Sequence, residues 1–149
     1  MMHTIPIAIA VSIVIAAPSA AEYDLRTVSA HTAESIAGYM HPETRHLAED
    51  VIRICADEGI SAEFIVSVMR WERRPDLHNW FGWTGNDGRL IRFESDVECL
   101  ERVIPLIRQN YLTESGKYFC GYTVGAVNRN YNGSEFWKEM IEKDMERMV

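Results

Sequence analysis

"SAEFIVSVMRWERRP" occupies residues 61–75. Ser61 is a good N-cap residue, and Pro75 bars a helix from continuing past it. The spacing between them predicts one helix through Arg73. With Phe64 at zero and about 100° per residue, Val68, Ile65, Met69 and Trp71 trace one apolar arc. Glu63, Ser67 and Arg70 fall on the opposite side, where surface residues are expected. Glu72 lands at about 80°, in the middle of the apolar arc. Two readings follow. Either the helix frays at Trp71 and Glu72 points to water or pairs with Arg73 or Arg74, or a carboxyl stands at the floor of a cleft.

Upstream, Pro42 suits a first-turn position. Leu47, Val51, Ile54 and Cys55 then recur on one helical face, which Gly59 closes. Residues 22–41 are weakly patterned and read as a connector with a short helix near Thr32–Tyr39. Ile5 to Ala17 is an apolar run followed by small residues at Ser19 and Ala21. Residues 1–21 therefore read as a secretory signal peptide, too short to span a bilayer, although the segment before the run has no Lys or Arg. The protein is expected to be extracytoplasmic.

Downstream, residues 76–93 are rich in Asn, Gly, Asp and aromatics, with "GNDG" at 85–88 as a turn. "RLIRF" at 89–93 predicts a short strand or extended arm. "SDVE" at 95–98 is a capping box. It opens a helix whose stripe is Val97, Leu100, Ile104, Ile107 and Tyr111, with Pro105 off the stripe. Thr123 caps a short helix through Tyr131, and Ser134 starts the last, with Trp137, Met140, Ile141, Met145 and Met148 aligned. The pattern is an α-helical domain with one irregular, aromatic-rich lobe.

The net charge of −7 opposes nucleic-acid binding, which needs clustered Lys and Arg, and offers no polybasic patch for an anionic membrane. The five His residues are scattered, with no H-x-x-x-H pair, and no C-x-x-C occurs. No metal or cofactor is expected. Of three cysteines, Cys55 reads as a buried small hydrophobe. An odd count leaves at least one thiol unpaired in the monomer, with a Cys99–Cys120 bridge an open alternative.

A carboxyl in an apolar setting resists ionisation. It then donates a proton near neutral pH, as cleavage of a glycosidic bond requires. Trp80, Phe81 and Trp83 follow in a loop with amides. Such flat apolar rings either hold the apolar faces of sugars or plug the loop onto the core.

The ordered pieces "AEFIVSVMRWE", "HNWFGWTG", "RFESDVECLERVIPLIRQNYLTESGKY" and "GAVNRNYNGSEFWKEMIEKDMERM" resemble the bacterial glucosaminidase domain of peptidoglycan hydrolases, in the lysozyme-like superfamily. The resemblance covers residues 42–149. It implies a mainly α, lysozyme-like helical domain with a short irregular or β lobe flanking a substrate cleft. It implies Glu72 as general acid, Tyr131 facing it, and cleft-lining residues from the stretch holding Asn79, Trp80, Phe81 and Trp83. The implied activity is cleavage of β-1,4 bonds in peptidoglycan glycan strands, and the protein is expected to be a monomer. Alternatives are a lytic transglycosylase on the same frame and a non-catalytic wall-binding protein. Two departures stand out. "ERRP" replaces the family's Glu-Ser and glycine turn, and the lobe is short, with Asp87 as its only candidate for a second carboxylate.

Overall fold

The computed structural model describes residues 19–149. The apolar run of the expected leader lies outside the described residues. Of that segment's end, Ala20–Glu22 forms a 3-10 turn with Ala20 buried. Six α-helices follow: α1 Ala33–Ala37, α2 Ala48–Glu58, α3 Ala62–Glu72, α4 Asp96–Tyr111, α5 Val124–Tyr131 and α6 Glu135–Glu146. Each start except that of α2 is fixed by a side-chain cap: Thr32, Ser61, Ser95, Thr123 and Ser134 accept from the third residue beyond, satisfying an amide that the helix leaves unpaired. The Glu98 carboxylate reaches back to the amide of Glu94, one residue before the one the capping box predicts. Gly59 ends α2 in the left-handed region, at φ 64°, where a β-carbon is disfavoured. Pro105 stands inside α4 without ending it.

Helix α3 is the central strut. It packs between α2 and α6, while α2 packs on α4 and α5 on α6. Every residue from Ala62 to Met69 is buried, which corrects the expectation that Glu63 and Ser67 face solvent. The N-terminal segment covers that side. The Leu25 amide donates to Tyr122 and its carbonyl accepts from Ser61, so residues 22–32 cross the face that the helical pattern leaves to water. Burial of Glu63 is tolerated because the hydroxyls of Ser29 and Ser61 donate to its two oxygens at 2.7 and 2.8 Å. A buried carboxylate without such donors is costly.

The expected β lobe is not there. Among the described residues there is no β-strand. Residues 73–95 contain only the isolated bridges Arg74↔Asn79 and Thr84↔Leu90. The reason is local. Asn79 is fully buried, and its side chain takes the place of a ladder: Nδ2 donates to the carbonyls of Trp83 and Ile91, and Oδ1 accepts from the Trp83 amide, all at 2.8 Å. One amide thus satisfies backbone groups that paired strands would otherwise satisfy. The lysozyme-like helix-plus-β-lobe architecture is replaced by a mainly helical domain with an irregular loop tied to one asparagine.

The "RRP" departure is also accounted for. Arg74 and Asn79 exchange backbone hydrogen bonds across a 3-10 turn, Pro75–Leu77. His78 adopts φ 49°, supplying the left-handed residue for which a glycine is the usual choice. His78 Nδ1 lies 2.7 Å from Asp96 at the start of α4, and His46 Nε2 lies 3.2 Å from its other oxygen. The lobe is thereby clasped to the helices.

Candidate active site

Glu72 is the last residue of α3. It is half-buried and lines a cleft of about 600 Å³. The helix does not fray before it, so the carboxyl lies where the apolar arc directs it. The walls are aromatic and amide: Trp83, Tyr111, Tyr118, Asn110 and Asn132 line the same cleft, and Lys117 is the cation among its lining residues. No other Asp or Glu lines the cleft.

Burial raises the pKa of Glu72 above the ordinary glutamate value, because the surroundings stabilise the charged form less than water does. Trp137, Asn132 and Arg74 oppose this shift and do not cancel it. The Asn132 amide donates to Oε1 at 3.4 Å, a long bond. Among the described residues the buried Trp137 indole N–H has no hydrogen-bond partner of normal geometry, though it lies close enough to favour the ionised carboxyl. The acid is therefore held with weak partners only.

Gly82 sits directly over the carboxyl. Its φ is 58°, and a β-carbon there would stand 3.3 Å from Glu72 Oε2 and 3.4 Å from the Glu72 carbonyl. Both the conformation and the space call for glycine.

Tyr131 closes the other side. Its hydroxyl donates to the Phe81 carbonyl at 3.2 Å. Its ring stacks on Trp137 with centroids 5.3 Å apart, meets Tyr111 edge-on at 5.4 Å and faces Trp83 at 6.4 Å. Burial, and then the neighbouring Glu72 charge, push the phenol well above its usual range, so it stays protonated and serves as a donor. It ties the loop carrying Phe81 and Gly82 to α5.

Compared with known proteins, the chain matches no family model and no curated sequence. The reading of the site therefore rests on its geometry.

The residues singled out in the sequence separate into two groups. Glu72, Phe81, Trp83 and Tyr131 line one cleft. Trp83 is partly buried and offers a ring to the opening, whereas Phe81 is 2% exposed and acts as a plug. Asn79 and Trp80 are buried in the lobe and do not line the cleft. The Trp80 indole lies beside Asp96. Asp87 does not line the cleft either; its Oδ1 accepts from the Arg89 amide within the "GNDG" turn. Among the described residues no cluster of His, Cys, Asp and Glu is placed to hold a metal. All three cysteines are free, with Cys55 and Cys99 buried and Cys120 exposed.

Sequence reasoning missed Asn132, Asn110, Tyr118 and Lys117, whereas Gly82 lies within the stretch that the resemblance places along the cleft. A signal for Asn132 was present. It directly follows Tyr131 and ends α5, so whatever positions the tyrosine positions the amide. Lys117 and Tyr118 belong to a loop with no periodicity. Only folding brings them into the cleft that Glu72 lines.

Proposed function

We propose that this protein is an extracytoplasmic glycoside hydrolase of the N-acetylglucosaminidase type, which cleaves β-1,4 bonds in peptidoglycan glycan strands with Glu72 as general acid. The observation that carries the reading is one carboxyl, its pKa raised by burial, at the floor of a cleft walled by aromatic rings and amides. Rings such as Trp83 suit the apolar faces of pyranoses, and amides such as Asn110 and Asn132 suit their polar edges.

Glu72 gives its proton to the glycosidic oxygen as the C1–O bond breaks, and the bonding pair leaves on that oxygen. Positive charge develops at C1 and the ring oxygen, next to the carboxylate just formed. Addition of water at C1 completes hydrolysis, and the proton it loses restores Glu72. Tyr131 keeps the Phe81–Gly82 loop over the acid.

A lytic transglycosylase is the second reading, favoured by the lack of another Asp or Glu in the lining. With no second carboxylate in the lining, the substrate's own C6 hydroxyl adds to C1 in place of water, gives its proton to the Glu72 carboxylate, and leaves a 1,6-anhydro end.

Purified peptidoglycan incubated with wild type and Glu72→Gln tests the proposal. Release of new sugar ends by wild type alone is expected. Equal release by both variants would overturn the role of Glu72. Strand binding without cleavage by either would identify a wall-binding module. Product mass separates the two chemistries, since an anhydro end is lighter by one water.

A further inference from the structure

On another side of α3 from the Glu72 cleft, Arg45, Arg70 and Arg147 line a pocket of about 310 Å³ together with Tyr39 and His41. No Asp or Glu lines it. The three arginines come from the 3-10 turn Pro42–Leu47, from the last turn of α3 and from the end of α6, so only the fold brings them together. In a chain of net charge −7, three guanidinium groups around one concavity are not explained by overall composition.

Their support is built in. The carboxylate of Asp144 is buried beside two of them; it accepts from Arg147 at 2.8 Å and from the Trp71 indole at 2.8 Å, and Arg70 Nε lies 3.7 Å away. Arg45 makes no ion pair among the described residues; its Nε donates to the Met40 carbonyl at 3.4 Å. Asp144 thus pairs with two of the guanidinium groups and leaves Arg45 without a carboxylate partner among the described residues. The next acid, Glu43, lies outside the lining and pairs with His41 and Arg73. Planar guanidinium forks held in place match oxyanions by paired, charge-assisted hydrogen bonds.

We propose that this pocket is a binding site for an oxyanion, a phosphate or a carboxylate group, separate from the Glu72 cleft. It does not depend on the glycosidase reading, because it is measured by binding rather than by cleavage. The size suits one small anionic group with a short substituent.

Titration calorimetry on the full chain at low salt, with inorganic phosphate, glycerol 3-phosphate and N-acetyl-D-alanine as probes, tests it. Saturable one-to-one binding of at least one probe is expected. The preferred probe tells whether the natural group is a phosphate or a carboxylate. Arg45→Gln should weaken binding about tenfold or more. It leaves the Asp144 cluster intact, so loss of binding is not loss of fold. Arg147→Gln should weaken binding similarly, and Arg89→Gln, outside the pocket, should leave it unchanged. No saturable binding of any probe, or equal binding by wild type and Arg45→Gln, would overturn the site.

Discussion

Helix α3 carries a carboxyl at each end, and their surroundings differ. Glu63, in the first turn, is 3% exposed and receives two short hydroxyl hydrogen bonds. Glu72, in the last turn, is half-buried in an open cleft, with one 3.4 Å amide contact. The buried acid is tied into the fold by its donors. The acid with weak partners and an open approach is available to a ligand. Donor strength and access distinguish the two more than burial does.

The comparison can be broken at either end. The largest expected effect is on cleavage: Glu72→Gln should lower the rate by roughly 10² to 10⁴-fold with the circular dichroism spectrum unchanged. A variant retaining more than a tenth of the rate would put the proton donor elsewhere. Glu63→Ala should act the opposite way. It leaves the Ser29 and Ser61 hydroxyls without their acceptor and should cost about 2–4 kcal/mol in urea unfolding, with cleavage preserved where the chain stays folded. A stability equal to wild type would mean that the two hydroxyl bonds contribute nothing.

Gly82→Ala joins both effects. The left-handed backbone and the methyl group against Glu72 Oε2 should cost about 1 kcal/mol and lower cleavage roughly tenfold through misplacement of the acid. Full activity would show that the loop yields freely.

The pH dependence is subtler. A carboxyl whose folded pKa is raised holds its proton more tightly in the folded than in the unfolded chain. Its contribution to stability is therefore fully present below the ordinary glutamate value of 4.5 and is lost as pH rises through the raised one. The melting temperature of Glu72→Gln minus that of wild type should be more positive at pH 7 than at pH 4. Cleavage should fall on the alkaline side as Glu72 loses its proton. Asn132→Ala removes a donor to the ionised form, so that alkaline limb should move upward, the smallest of these effects. A downward movement would mean that the amide does not act on the carboxyl.

Much of this was legible in the chain because it is local. Ser61, Ser95, Thr123 and Ser134 mark helix starts through side chains three residues from their partners, and Gly59 marks an end. The direction of Glu72 followed from helical periodicity, since α3 stays regular to its last residue. The burial of Glu63 was not legible. The segment that covers it lies more than thirty residues away, joined by Ser29, and periodicity treats any polar face as solvated. The lobe misled for a related reason. "RLIRF" looks extended, but whether extended chain becomes a sheet depends on what its backbone groups meet, and here they meet scattered partners: the Asn79 side chain at the Ile91 carbonyl, and the backbone of Trp83, Gly85 and Leu77 elsewhere. Trp80 could be read equally as a sugar platform or as a plug, because aromatic residues in loops carry no label of direction.

The end of α5 bears on how the protein ages. Asn132 precedes Gly133, the neighbour that least hinders closure of an asparagine side chain onto the next backbone nitrogen, the step that leads to deamidation. That nitrogen's hydrogen is engaged by the Asn128 carbonyl at 2.8 Å and its side-chain oxygen at 3.1 Å. The helix end thus shields the amide that touches Glu72. Fraying there would, over long storage, replace a donor with a second negative charge beside the proposed proton donor.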